Sequence, residues 1–153
     1  MKKSYLVILL VIMLSVVYLQ TSIHTLAENN YLLPDNKEKQ FISASEFKKS
    51  GKLTGYIQFK DADINFEQKL LYKDLKQYIK SKVSEYYFIN LINIYSNPNS
   101  SVSPDRQIYF YCSISDDDNT LKYKYLILDA ETSKPIAEGN GQNFKQESET
   151  LFN

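Results

Sequence analysis

The sequence predicts an α+β domain in which one long amphipathic helix packs on an antiparallel β-meander. Three observations carry this expectation. Leu71, Leu75, Tyr78, Ile79, Val83, Tyr86 and Tyr87 recur at spacings of three and four, the period of an apolar helix face. Ile108, Phe110, Cys112 and Ile114 alternate with Tyr109, Tyr111, Ser113 and Ser115, the period of two of a half-buried strand. Turn-forming residues at 116–119 and 131–135 then divide the following chain into strands.

Residues 1–27 read as a secretory leader. Lys2 and Lys3 precede an apolar run from Tyr5 to Leu19, and Thr25-Leu26-Ala27 offers a small-x-small cleavage site before Glu28. An uncleaved anchor is the competing reading, because residues 5–23 approach the roughly 20 residues that a spanning helix needs. Either way the expected location is extracytoplasmic, secreted or tethered to the membrane through residues 5–23. No cysteine stands at the end of the apolar run, which argues against lipid attachment there.

Residues 28–40 are polar, contain Pro34 and lack periodicity, as expected of a linker. The folded domain is expected over 41–139. Ser43-Ala44-Ser45-Glu46 has the form of a capping box, with Ile42 and Phe47 placed as a hydrophobic staple and Gly51 placed after the helix end, so a short helix is expected over Ala44–Ser50. Leu53–Lys60, with Tyr56, Ile57 and Phe59, suits a first strand. Asn65 with Gln68 three residues later could cap the long helix. From Phe88 to Tyr95 the chain is dense in aromatic and β-branched residues, and a strand is favoured over a helical continuation. Ser96–Arg106, with two prolines, reads as a loop. Strands are then expected at 108–114, Leu121–Asp129 and Pro135–Glu138, before a polar tail over 140–153.

This order of elements resembles the cystatin-like group, which includes PepSY-type domains of secreted bacterial proteins. The segment Leu126-Ile-Leu-Asp129-Ala-Glu-Thr132-Ser133-Lys134-Pro-Ile136 looks like the PepSY strand-turn-strand signature, with Ser133 where that pattern prefers Gly. The resemblance implies a non-catalytic module that binds or regulates a protein partner outside the cell.

Composition narrows the chemistry. The 126 residues after position 27 carry 16 basic and 18 acidic side chains, a net charge of −2 that does not suit a nucleic-acid binder. The single histidine, His24, lies in the expected leader, so Ser/His/Asp and Cys/His catalysis and histidine-based zinc sites are closed to the mature chain. Cys112 is the single cysteine and cannot form a disulfide within the chain. It is expected to be a small buried hydrophobe.

No catalytic residue, cofactor or metal site is expected. Asp61, Asp63 and Asn65 open like a calcium loop, but Phe66 and Tyr72 stand where Gly and Glu are required, so a strand end and a helix cap explain them better. Asp116, Asp117 and Asp118 read as a solvated turn. Two interaction surfaces are expected instead. Lys69, Lys73, Lys76 and Lys80 would form a basic ridge on the long helix, fit for an anionic partner such as phospholipid or a wall teichoic acid, although a solvated helix face explains them as well. Tyr109 and Tyr111, with Lys122 and Lys124 across from them, would form a recognition face on an open side of the sheet, for which cross-strand pairing or a second packed layer is the alternative. The expected function is therefore a non-enzymatic binding or interaction module of the cell envelope, its partner an extracytoplasmic protein or an anionic envelope polymer. A carboxylate-based glycan hydrolase and an accessory or exclusion factor of a mobile element are the alternatives.

Overall fold

The structure is a computed structural model that describes residues 31–145; the expected leader and the last residues of the expected tail lie outside the described residues. A four-stranded antiparallel sheet in the order β1-β2-β3-β4 forms the centre: β1 Ile64–Leu71, β2 Gln107–Asp116, β3 Thr120–Asp129 and β4 Pro135–Phe144. A helix, α1, precedes it at Ala44–Lys49. Between β1 and β2 lie a 3₁₀ turn at Tyr72–Asp74 and the short helices α2 Leu75–Lys82, α3 Glu85–Asn90 and α4 Ile92–Tyr95. Among the described residues, no helix is long and apolar enough to cross a membrane.

The α+β class is as expected, but the long helix is absent. Its expected start, residues 64–71, is β1, paired along its whole length with β2 from Ile64 opposite Ile114 to Leu71 opposite Gln107. Ile64, Phe66 and Leu70 share one face at spacing two, and the partner strand outweighs the capping signal at Asn65. The remaining stripe is interrupted where Val83 takes an extended conformation (φ −130°, ψ 160°). The expected strand at 88–95 is helical. Phe88 and Leu91 donate to the carbonyls of Ser84 and Tyr87, Leu91 and Ile94 are buried, and Phe88 stacks on Tyr95 one heptad on at 4.9 Å. Helical periodicity decided an element whose composition suited either state.

On the helical face of the sheet, Ile108, Phe110, Cys112 and Ile114 of β2 meet Phe66, Leu75, Ile79, Leu91 and Ile94. Cys112 is fully buried and unpaired, as expected, and burial pushes its thiol up to about 12.

The opposite face corrects a second expectation. Tyr109 and Tyr111 do point away from the helices, but they are 1% and 0% exposed. Residues 33–60 run across them as a strap. Phe47 stacks on Tyr109 at 4.6 Å, Tyr56 leans on Tyr111 at 5.8 Å, and Ala44, Phe41 and Leu53 complete the cluster. α1 forms as its capping box predicts, Ser43 and Glu46 bonding reciprocally, and Gly51 follows its end at φ 73°. Leu53–Lys60 is not a strand of the sheet. It lies over the sheet, turning at Gly55 (φ 78°), with the Phe59 amide donating to Ser113 Oγ at 3.0 Å.

An irregular strap needs partners for its backbone carbonyls, and β2 with the residue before it supplies them. Arg106 donates to the Pro34 carbonyl, Gln107 to those of Asn36 and Lys39, Tyr109 to that of Ile42 and Tyr111 to that of Ala44. Leu33 forms a parallel bridge with Val102. Residues 33–40 are thus fastened to the domain, where the sequence suggests a linker.

Arg106 is also paired with Asp129, Nε to Oδ1 at 2.7 Å and a terminal nitrogen to Oδ2 at 2.9 Å, and both side chains are buried. The same carboxylate accepts from the Thr132 hydroxyl at 2.6 Å and the Thr132 amide at 3.1 Å, shaping the β3–β4 turn. Ser133 completes this turn at φ 60°, the left-handed conformation that favours glycine. β4 then continues to Phe144, so residues 140–144, expected as tail, complete the sheet.

Burial alone would raise the Asp129 pKa, but hydrogen bonds from Arg106 and Thr132 outweigh it and hold the carboxyl below its usual value. The pair's stabilisation is therefore complete above the unfolded value of about 4 and is lost as pH falls from there through the lower folded value. Asp129→Ala, which strands Arg106, is expected to cost about 3 to 5 kcal/mol in urea unfolding at neutral pH, with a smaller difference from wild type at pH 3.

Candidate functional site

The strap covers β2 and the Leu126–Leu128 end of β3, but leaves the Lys122–Lys124 stretch of β3 and the facing part of β4 open on the same face. Along β3 the side chains on this face are Lys122, Lys124, Leu126 and Leu128, since Tyr111 pairs with Leu126 and Ser113 with Lys124. Opposite them on β4 are Gln142, Asn140 and Glu138. The strap residues Gly55, Tyr56, Ile57 and Phe59 form the facing wall. Together they bound an open groove of about 720 Å³.

Its chemistry is mixed. Lys124 holds its ammonium 4.2 Å from the centre of the Phe59 ring. Lys122 lies 3.5 Å from Asp117, whose carboxylate is drawn down to about 2 by hydrogen bonds from the Thr120 side chain and from the Asn119 and Thr120 amides. Ile57 is 76% exposed at the rim. Glu138 is the single acid among the lining residues. Tyr56 is half-buried; its hydroxyl has no hydrogen-bond partner among the described residues, and burial, with Cys112 and Glu67 nearby, raises its pKa. The arrangement can offer an ammonium or amide donor to an anionic or hydroxyl-rich ligand, with an apolar edge beside it.

Of the expected recognition face, Lys122 and Lys124 border this groove, whereas Tyr109 and Tyr111 are core residues beneath the strap. The unbroken apolar run Ile108-Tyr-Phe-Tyr-Cys112 is compatible with a strand covered on both sides, but nothing local in it names the covering layer. The expected basic ridge is dispersed. Lys69 lies on β1 and donates to the Phe41 carbonyl, Lys73 sits in the 3₁₀ turn 2.6 Å from Asp105, and Lys76 and Lys80 are on α2. Asn140, Gln142 and the strap wall lie outside the expected site, because the sequence pattern ends the last strand at Glu138 and suits a strand over 53–60.

The acidic segments serve the fold. Asp63 accepts the Asp116 amide at 2.7 Å, and Asp117 organises the β2–β3 turn. Among the described residues, no group of three or more His, Cys, Asp or Glu side chains is placed to hold a metal ion.

Two glycines support the groove from beneath. On the helical side of β4, the rings of Tyr123 and Tyr125 lie against the backbone of Gly141 and Gly139. A Cβ at Gly141 would meet the Tyr123 ring at 2.4 Å, and one at Gly139 would meet that of Tyr125 at 2.9 Å. Tyr123 is 3% exposed and receives a hydrogen bond from Asn93 at 3.3 Å, so it cannot simply swing aside.

Comparison with known proteins finds no match among family models, curated proteins or solved structures.

Gly141→Ala is expected to destabilise the domain by about 1 to 3 kcal/mol through overpacking. Combining it with Tyr123→Ala, which removes the clash, should make the two effects markedly less than additive in chemical unfolding.

Proposed function

We propose that the chain is a non-catalytic, extracytoplasmic binding module of the cell envelope, and that its binding site is the groove between the strap and β3–β4. The observation that carries this reading is the half-covered sheet face. The strap closes over the tyrosines, meets Lys124 through Phe59 and stops short of Lys122, Asn140 and Gln142, leaving donor groups beside the exposed Ile57. The partner class is an anionic envelope polymer, because two lysines against one acid favour negative charge in the groove.

The absence of a second lining carboxylate beside Glu138 supports binding over glycan hydrolysis, which needs two acids set roughly 5 to 9.5 Å apart across the scissile bond. The likeness of residues 126–136 to the PepSY hairpin adds an association by fold, pointing to the same class of role.

The test is co-sedimentation of the protein with isolated wall sacculi, before and after their anionic polymers are extracted. Lys122→Glu with Lys124→Glu should weaken capture by untreated sacculi by about tenfold, a loss of ~1.4 kcal/mol. Folding should change by less than about 1 kcal/mol, both side chains being partly solvated. Undiminished capture by the double variant, or equal capture by extracted sacculi, would refute the assignment.

A further inference from the structure

The helices between β1 and β2 present a second surface of different character. Among residues 75–95 the charged side chains are Lys76, Lys80, Lys82 and Glu85, giving this stretch a net charge of +2 in a chain whose formal net charge is zero. Large apolar side chains stand out of the same layer: Tyr86, Ile89 and Ile92 are 45%, 60% and 49% exposed. Phe144, 77% exposed at the end of β4, borders a shallow recess with Tyr86 and Lys145.

The lysines are arranged with the aromatic residues. Lys76 lies 5.6 Å from the Tyr95 ring centre and Lys80 lies 5.9 Å from that of Phe88, while these two rings stack on each other at 4.9 Å. Lys82 lies 5.9 Å from the Tyr78 ring. Of the other exposed polar groups here, Glu85 is acidic, while Gln77, Ser81 and Asn93 are uncharged.

We propose that this helical face docks on an anionic lipid bilayer. Isoleucine and aromatic side chains would enter the headgroup and acyl boundary, and Lys76, Lys80 and Lys82 would meet lipid phosphates at its edge. Water leaves isoleucines and a phenylalanine uncovered at a cost, and a basic rim repels cationic partners. A negatively charged interface answers both, because its headgroups neutralise the ammonium groups at the depth where the apolar side chains are buried. The surface is separate from the groove, so the two assignments stand or fall independently.

The test uses the full chain with Ile89→Cys carrying an environment-sensitive fluorophore. Cys112 is buried and its thiol stays protonated, so labelling is confined to position 89. The labelled protein is added to vesicles of phosphatidylcholine alone and of phosphatidylcholine with phosphatidylglycerol. A blue shift with phosphatidylglycerol, smaller at high salt, is expected, and Lys76→Glu, Lys80→Glu and Lys82→Glu together should abolish it. Each lysine near the surface contributes about fivefold to docking (about 1 kcal/mol). The same fluorophore at Ile57→Cys, on the strap side, should keep its aqueous spectrum. An equal shift in both lipids, no shift with phosphatidylglycerol, or an equal shift at position 57 would overturn the proposal. A concentration-dependent shift without vesicles would overturn it too, in favour of an interface between copies of the chain.

Discussion

The strap side of the molecule depends on the buried ion pair between Arg106 and Asp129. A buried guanidinium is tolerated only when its charge is matched and its donors are used. Here two nitrogens meet Asp129, while a third serves both the Pro34 carbonyl and Glu131. Asp129 in turn ends β3 and shapes the turn into β4. One pair therefore ties the start of the strap, the start of β2 and the β3–β4 hairpin to a single point. From there Gln107, Tyr109 and Tyr111 carry the strap along β2 by hydrogen bonds to its carbonyls, and the tyrosine rings supply the apolar area that makes covering this face favourable.

Both proposed surfaces follow from how far each covering layer reaches. The helices bury one face of the sheet with Leu75, Ile79, Leu91 and Ile94 turned inward, so the lysines and the remaining isoleucines are left outward. The strap crosses the other face over β2 and the Leu126–Leu128 end of β3 and turns at Gly55, which leaves the Lys122–Lys124 stretch of β3 and the facing part of β4 as the floor of a groove. β4 tolerates the large rings of Tyr123 and Tyr125 because glycine stands opposite each. Its amide side chains Asn140 and Gln142 face the groove from the alternate positions.

Local rules made the capping box, β2, β3 and their connecting turn legible in the sequence, because each is specified by residues within a few positions of one another. What they could not supply was coverage from a distance. Tyr109 and Tyr111 alternate with a core face, and in an isolated sheet they would meet water. Their burial requires Phe47 and Tyr56, more than fifty residues earlier in the chain, and a strap whose only regular element is one helical turn and a half. The helical stripe misled in the same way at its start. Residues 64–71 satisfy a helix cap and a strand pattern together, and pairing with β2 decides between them. At the candidate site, Lys122 and Lys124 could be placed on one sheet face from alternation alone. The groove beside them could not, since its wall is the strap.

Arg106 and Asp129 hold the strap to a sheet that is otherwise self-sufficient, and this dependence is measurable. Native-state hydrogen exchange of Arg106→Met tests it most directly. The amides of Leu33, Lys39, Phe47 and Phe59 should lose protection by tenfold or more, about 1.4 kcal/mol of opening free energy, while the amides paired between β2 and β3 change much less. Equal loss of protection in strap and sheet, or unchanged protection of the strap, would contradict it.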